Sequence, residues 1–326
     1  MKTKPYANRM PVALTTLIIL IFIASGCQPQ ATPELEHVEQ AEREIPALAA
    51  VTPGEGEKLK VVATTNIVGD VVSVIGGDKI ELITLMGIGV DPHTYVPTPS
   101  DIAAIHDAHV LFANGADLEA DLKEVFESAG GDAVEVYVSH GLELREAERE
   151  HKGADPHVWF SVPNVIHWVK KIEHTLCALD PGNAQIYESN TEAYISELEE
   201  LDAWVFEQIA SIPKANRRLV TSHPALGYLA ERYGMEQVGA VYPVSPSAEP
   251  SAQDIAALQE AIREYGVQAV FTESTVNPKL AGQVAKDTGI KLVALYTGSL
   301  GGPGSGAESY IEMMRYDVQA IVDALK

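Results

Sequence analysis

Three histidines in this 326-residue chain share a local setting: Asp91-Pro92-His93, Asp155-Pro156-His157 and Ser222-His223-Pro224. Neutral imidazole suits zinc and its first-row neighbours, and side chains drawn from three distant loops can close around one ion. A proline beside each histidine stiffens the backbone, so less entropy is lost when the ring is fixed as a ligand. His37, His106, His109, His140, His151, His167 and His174 have no such setting and read as ordinary surface or core residues. Three protein ligands with an open fourth position is also the pattern of catalytic zinc, so a zinc hydrolase is a rival reading. Against it, the chain has no HExxH and no serine elbow, and Gly87-Ile88-Gly89 runs into Asp91-Pro92, which cannot open a helix as a dinucleotide fingerprint must. A receptor for an organic solute, or an adhesin, is a second rival, with Tyr95 and Trp159 lining a small pocket. Beside an ion, the same two aromatics would instead form a shell that keeps water off it.

The elements that must carry these residues alternate between strand and helix. A β-branched run over 59–64 reads as a strand, followed by a helix over 67–75 closed by Gly76-Gly77. Next come a strand over 79–85, the His93 loop over 87–99, a helix over 100–107, a strand over 109–113, a helix around 118–127 and a strand over 134–138. A charged loop over 142–154 leads to a helix over 163–179, stopped by Asp180-Pro181-Gly182. Over 183–212, Tyr187, Tyr194, Leu198, Leu201, Val205, Ile209 and Ile212 fall on one stripe. With Asn183 as cap and Pro213 as stop, this predicts a single helix of about 29 residues, about 43 Å long, able to cross the molecule. A second series of strands (218–222, 237–242, 268–271, 291–296) alternates with helices over 225–233, from Ser251 to Gly266, over 278–288 and over 307–325. Asp254 stands three residues after Ser251 as a capping-box partner. Such alternation predicts parallel, doubly wound α/β lobes, with ligands beyond the carboxyl ends of the strands, where the three histidines fall.

The first 26 residues place Lys2, Lys4 and Arg9 ahead of an apolar run over 12–23 that ends in Ala24-Ser25-Gly26-Cys27. That run is well short of the ~20 residues of a spanning helix and reads as a secretory signal peptide. Cys27 then resembles the lipidated cysteine of bacterial lipoproteins, although Ala24 stands where those most often have leucine. The only other cysteine is Cys177, so the exported chain has no internal disulfide. Residues 28–57, rich in Gln, Pro, Glu and Ala, read as a solvated tether. Beyond the signal, 20 Lys+Arg face 46 Asp+Glu, a net charge of −26. That balance repels nucleic acid and anionic headgroups and is permissive of a cationic ligand.

Five motifs, GVDPHTYVPTPSDI (89–102), DPHVWFSVPN (155–164), TSHPALGYLAERYG (221–234), ESTVNPKL (273–280) and LYTGSLG (295–301), resemble in kind and order the metal-binding receptors of zinc and manganese ABC importers. The resemblance covers residues 58–326. It implies two α/β lobes, an N-terminal one over 58–182 and a C-terminal one over 214–326, joined by one long helix over 183–213, with the ion in the cleft. His93 and His157 would come from the first lobe and His223 from the second. Members of the zinc type carry His at the third position and many of the manganese type carry Glu, so His223 leans toward zinc. The family's fourth ligand, an Asp, is here Gly298. Either water fills that place or Glu273 turns inward; alternatively Glu273 stands behind an imidazole and orients it. The resemblance further implies a monomer outside the cytoplasmic membrane, tethered by Cys27 (with residues 27–57 as lipidated cysteine and tether), that carries Zn2+ or Mn2+ to an ABC permease with its ATPase and does no catalysis.

Overall fold

The computed structural model describes residues 48–51, 56–147, 153–242 and 250–326. The chain begins its first sheet with β1 (Leu59–Thr65), continues through α1 (Asn66–Gly76) to β2 (Ile80–Met86), and then runs through α2 (Pro99–Asp107), β3 (Val110–Ala113), α3 (Lys123–Ala129) and β4 (Val134–Tyr137). All pairings are parallel and the order is β2-β1-β3-β4. After α4 (Val162–Leu179) and α5 (Ala184–Ala210), the chain builds β5 (Arg218–Thr221), α6 (Gly227–Tyr233), β6 (Glu236–Ala240), α7 (Ala252–Tyr265), β7 (Ala269–Glu273), α8 (Lys279–Thr288), β8 (Lys291–Leu295) and α9 (Tyr310–Leu325). The second sheet is also parallel, in the order β6-β5-β7-β8. Both lobes thus repeat one winding, with helices on both sheet faces.

Alternation along the strands sorts their residues between those faces. Val61 and Ala63 of β1 meet Ile67, Val71 and Ile75 of α1, whereas Val62 between them meets Ile105 of α2 and Phe126 of α3. In the second lobe Val220 and Val270 pack on Leu258 and Ile262 of α7 and on Val284 of α8. Leu219 and Phe271 turn the other way, into the same core as α9. That core is continuous across both lobes, and α5 lies in it through Tyr187, Tyr194, Leu198, Leu201, Val205 and Ile209, packed on α1 and α4 of one lobe and α6 and α9 of the other.

The linking helix has 27 residues, about 40 Å at 1.5 Å per residue. Asn183 sits at its N-cap but does not cap it. Its amide donates to the Asp180 carboxylate (2.7 Å), and a 3-10 turn over Pro181–Asn183 leads into the helix instead. Capping boxes do open three other helices, Thr98 with Asp101, Ser251 with Asp254 and Ser309 with Glu312, each worth about 1 kcal/mol to its helix. Residues 48–51, within the stretch read as tether, dock on the first lobe: Val51 N–H donates to Leu179 O (2.7 Å), and Leu48 and Val51 pack on the core. Cys27 and the signal segment lie outside the described residues. Among the described residues no helix is long and apolar enough to cross a membrane.

Candidate metal centre

Parallel strands bring His223 and Glu273 together. β5 and β7 are neighbours with Thr221 beside Phe271, so the residues just past Thr221 meet the end of β7 at Glu273. His223 Nδ1 contacts Glu273 Oε1, and the Thr297 hydroxyl, just past β8, donates to Glu273 Oε2. Both groups are almost wholly buried, with His223 3% and Glu273 5% exposed. Burial alone would pull the imidazole down, but the charge and hydrogen bond of Glu273 outweigh it, so His223 is held above the usual imidazole range. Burial pushes Glu273 up, and the His223 charge and the hydrogen bonds from His223 and Thr297 outweigh that in turn, holding the carboxyl below its usual range. With Nδ1 engaged on the carboxylate, Nε2 is the nitrogen left to face an ion.

His157 is backed from closer in sequence. Asp155 Oδ1 accepts from the backbone N–H of His157 (3.0 Å) and lies 2.8 Å from His157 Nδ1. Asn114, just past β3, fixes this loop by donating to Pro156 O (3.1 Å). The same Asp-Pro-His turn recurs at His93, whose backbone N–H donates to Asp91 Oδ1 (3.0 Å). Asn66, the first residue of α1, ties the His93 loop to the second lobe: its side chain donates to Gly87 O (3.0 Å) and to Ser299 Oγ (2.9 Å), and accepts from Leu300 N–H (2.8 Å). Ser299 Oγ also accepts from Gly89 N–H (2.8 Å).

The outcome is one point of convergence. His157 Nε2 lies 3.1 Å from His93 Nε2 and 2.9 Å from His223 Nε2, and one ring nitrogen from each histidine lies within 4.8 Å of both others. Two nitrogens on one tetrahedral zinc, at roughly 2.0–2.1 Å from the metal, would be about 3.3 Å apart. Trp159 stands edge-on to His157 with ring centroids 5.3 Å apart, and its Nε1 donates to Thr297 O (3.0 Å), closing one side of the centre with apolar surface. Tyr95, the other aromatic expected around the ion, instead gives its hydroxyl to Asp101 (2.7 Å) at the cap of α2.

The three histidines singled out in the sequence come together, and Glu273 lies behind His223 with both oxygens engaged. Gly298 is buried beside Pro92; a Cβ there would stand 3.1 Å from Pro92 Cδ, and its φ lies outside the left-handed region, so the backbone itself would accept a side chain. His106 and His167 bond backbone carbonyls elsewhere, and His109 accepts from Lys60 N–H. Sequence reasoning did not single out Asp155, Asn66 or Thr297. The repeat of Asp two residues before His was the available signal for Asp155, whereas Asn66 and Thr297 carry none, because their partners are distant in sequence.

Residues 61–324 match the family described as ZnuA, zinc-uptake complex component A, periplasmic. The chain is 35% identical over 312 residues to the manganese-binding lipoprotein MntA of Halalkalibacterium halodurans, covering 95% of this chain and 96% of that one. It is 34% identical to the manganese ABC transporter substrate-binding lipoprotein PsaA of Streptococcus mitis, over 83% of this chain and 90% of the relative. Among solved structures, the periplasmic zinc-binding protein TroA of Treponema pallidum superposes with a TM-score of 0.77 at 32% identity, over 82% of this chain and 99% of that one. The manganese-bound periplasmic metal-binding protein of Candidatus Liberibacter asiaticus superposes with a TM-score of 0.76 at 28% identity, over 83% of this chain and all of that one. With the lobes, the linking helix and the match over 61–324 in agreement, this chain is a member of the periplasmic zinc-uptake component A family.

Proposed function

We propose that this chain is the substrate-binding lipoprotein of a metal ABC importer, and that it captures zinc in preference to manganese through His93, His157 and His223. The observation that carries the reading is that, among the described residues, the convergent group is three imidazole nitrogens with no carboxylate oxygen in it. Manganese favours oxygen donors and stands at the weak end of the divalent series, so a nitrogen-only set favours zinc even though close relatives bear manganese names. Water completes a tetrahedral set where the family has Asp and this chain has Gly298. Glu273 acts as the acceptor that orients His223 and fixes its tautomer. The near-complete burial of His157 and His223 suits holding an ion rather than turning over an organic substrate.

Cys27 anchors the chain outside the cytoplasmic membrane, and the cleft face of the two lobes meets the permease, whose ATPase works on the far side. Cys27→Ser should release the chain from the membrane fraction or leave the precursor uncut; normal lipid labelling of that variant would rule the anchor out. The metal reading is tested by stripping the chain with chelator, offering zinc and manganese together, and counting ions per chain by mass spectrometry. One zinc per chain with manganese left in solution is expected, and one manganese would overturn the preference. Gly298→Asp supplies the missing carboxylate, provided the Pro92 ring gives by a few tenths of an ångström. It should strengthen manganese binding more than zinc binding, and an unmoved ratio of the two dissociation constants would mean that the fourth position is not beside residue 298.

A further inference from the structure

Residues 145–147 and 153–154, the described ends of the charged stretch over 142–154, form a neck beside the metal centre. Residues 145–147 and 153–155 run antiparallel: Asp155 N–H donates to Arg145 O (2.8 Å) and Ala147 N–H to Gly153 O (3.1 Å). The second lobe meets this neck with α6. The Tyr228 hydroxyl accepts from Arg145 N–H (2.9 Å) and donates to Asp155 O (3.0 Å), and Glu231 pairs with the Arg145 guanidinium. Arg145 Nε is buried without a hydrogen-bond partner and stands 3.7 Å from Asp155 Oδ2.

Gly227 occupies the point of closest approach. A Cβ on it would lie 2.9 Å from Arg145 Nε and 2.9 Å from Asp155 Oδ2, nearer than real Cβ atoms come to heavy atoms. Its φ lies outside the left-handed region, so the backbone does not require glycine, and alanine is the better helix former at the start of α6. What remains is the need for bare backbone where two surfaces press together.

We propose that Gly227 is the contact through which the second lobe positions His157. Bare backbone at Gly227 lets α6 seat Arg145 against Asp155, and Asp155, holding both the backbone and Nδ1 of His157, aims the imidazole at the ion. Gly227 and Arg145 are positioning residues that tie the approach of the lobes to the geometry of one ligand. This rests on the reading of the three histidines as metal ligands.

The test loads full-length chain with zinc and follows release into excess chelator and rebinding by stopped flow, alongside melting of the zinc-free form. Gly227→Ala should release zinc about tenfold faster, the lower end of the usual scale for disturbing a group that orients a ligating histidine. The zinc-free form should still fold, melting modestly lower because the crowding at Arg145 and Asp155 offsets what alanine adds to the helix; a merely structural glycine would lower melting in the same way and leave release unchanged. Arg145→Gln should speed release by about tenfold, and the double variant should go no further than the stronger single, since both act through Asp155. Wild-type release rates in both single variants, or effects that multiply in the double, would overturn the proposal. If Gly227→Ala fails to fold, Arg145→Gln decides alone. A wild-type chain that binds no zinc would refute the metal reading, whereas zinc-bound variants with unchanged release would refute only this coupling.

Discussion

In the second lobe the carboxylate behind His223 comes from the next strand of the sheet, whereas in the first lobe the carboxylate behind His157 comes from two residues earlier in the same loop. Glu273 ends β7 and reaches His223 just past β5, so the pair is held by the register of parallel strands. Asp155 reaches His157 inside one turn, and that turn is steadied from outside by Asn114 and by the Arg145 contact. The carboxyl end of an interior strand places its carboxylate by register, with one added bond from Thr297, while a loop has to borrow rigidity from its neighbours. The second lobe should therefore tolerate less chemical change at its carboxylate, and the first should be more sensitive to changes made at a distance.

Removal of the central imidazole marks the top of the scale. His157 Nε2 is within 3.1 Å of His93 Nε2 and 2.9 Å of His223 Nε2. His157→Ala should therefore weaken zinc binding by on the order of a thousandfold, measured by chelator competition. A loss below tenfold would mean that the ion does not sit among these rings. The two carboxylates come next. Glu273→Gln should weaken zinc by roughly ten- to a hundredfold, because a buried charge on one imidazole nitrogen is lost where little water can replace it. Asp155→Asn should cost about tenfold or less, since asparagine keeps the carbonyl oxygen that accepts from the His157 backbone and suits the same turn. The reverse ranking would break the contrast between sheet-held and loop-held carboxylates.

Much of this arrangement is legible in the sequence because it is periodic or local. The strand and helix alternation, the stripe from Tyr187 to Ile209 and the repeated Asp-Pro-His are patterns within short windows. Asn183 was misleading because Asp180, three residues earlier, offers its amide a charged acceptor that outcompetes the helix end. Asn66 and Thr297 were silent for a different reason: their partners, such as Ser299 for Asn66 and Glu273 for Thr297, are set by how the sheets and lobes pack. Gly227 is the extreme case, a residue whose meaning lies in what it lacks and which only the facing Arg145 and Asp155 reveal.

Acidity probes the sheet-held pair directly. His223 is raised and Glu273 lowered, so in the zinc-free chain their ion pair stabilises the fold between those two values. The His223 contribution is complete below the unfolded imidazole value and is lost as pH rises through the raised folded value. The Glu273 contribution is complete above the unfolded carboxyl value and is lost as pH falls through the lowered folded value. Zinc makes the opposite demand on His223, since Nε2 must be free of its proton. Zinc affinity should therefore begin to fall on acidification at a pH above the ordinary imidazole value of about 6.5. In Glu273→Gln, burial is left without the opposing carboxylate, so the fall should begin at lower pH even though the affinity at pH 8 is weaker. Plots of log Kd against pH that bend at the same place in both proteins would show that Glu273 does not set the basicity of His223.

The smallest effect belongs to Thr297, which touches the centre only through Glu273. Its hydroxyl donates to Glu273 Oε2 while its carbonyl accepts from Trp159 Nε1, so Thr297→Val removes the first bond and leaves the second in place. A hydrogen bond to a charged group contributes about 1.5–3 kcal/mol to a fold, but this one exists with and without zinc, and only the difference between the two states reaches the affinity. Without the hydroxyl, the carboxylate leans more fully on His223, making the imidazole both a stronger ligand and a stronger base. At pH 8, where the proton is scarce, the base strength has little effect and the stronger ligand should shift zinc Kd by no more than about threefold, toward tighter binding. At pH 6 the stronger base is more often protonated, and a several-fold loss should appear. Paired measurements at the two pH values decide the matter: an equal loss at both would mean that Thr297 merely supports the loop, and a loss confined to the lower pH would place it in the line that runs from β8 through Glu273 to His223.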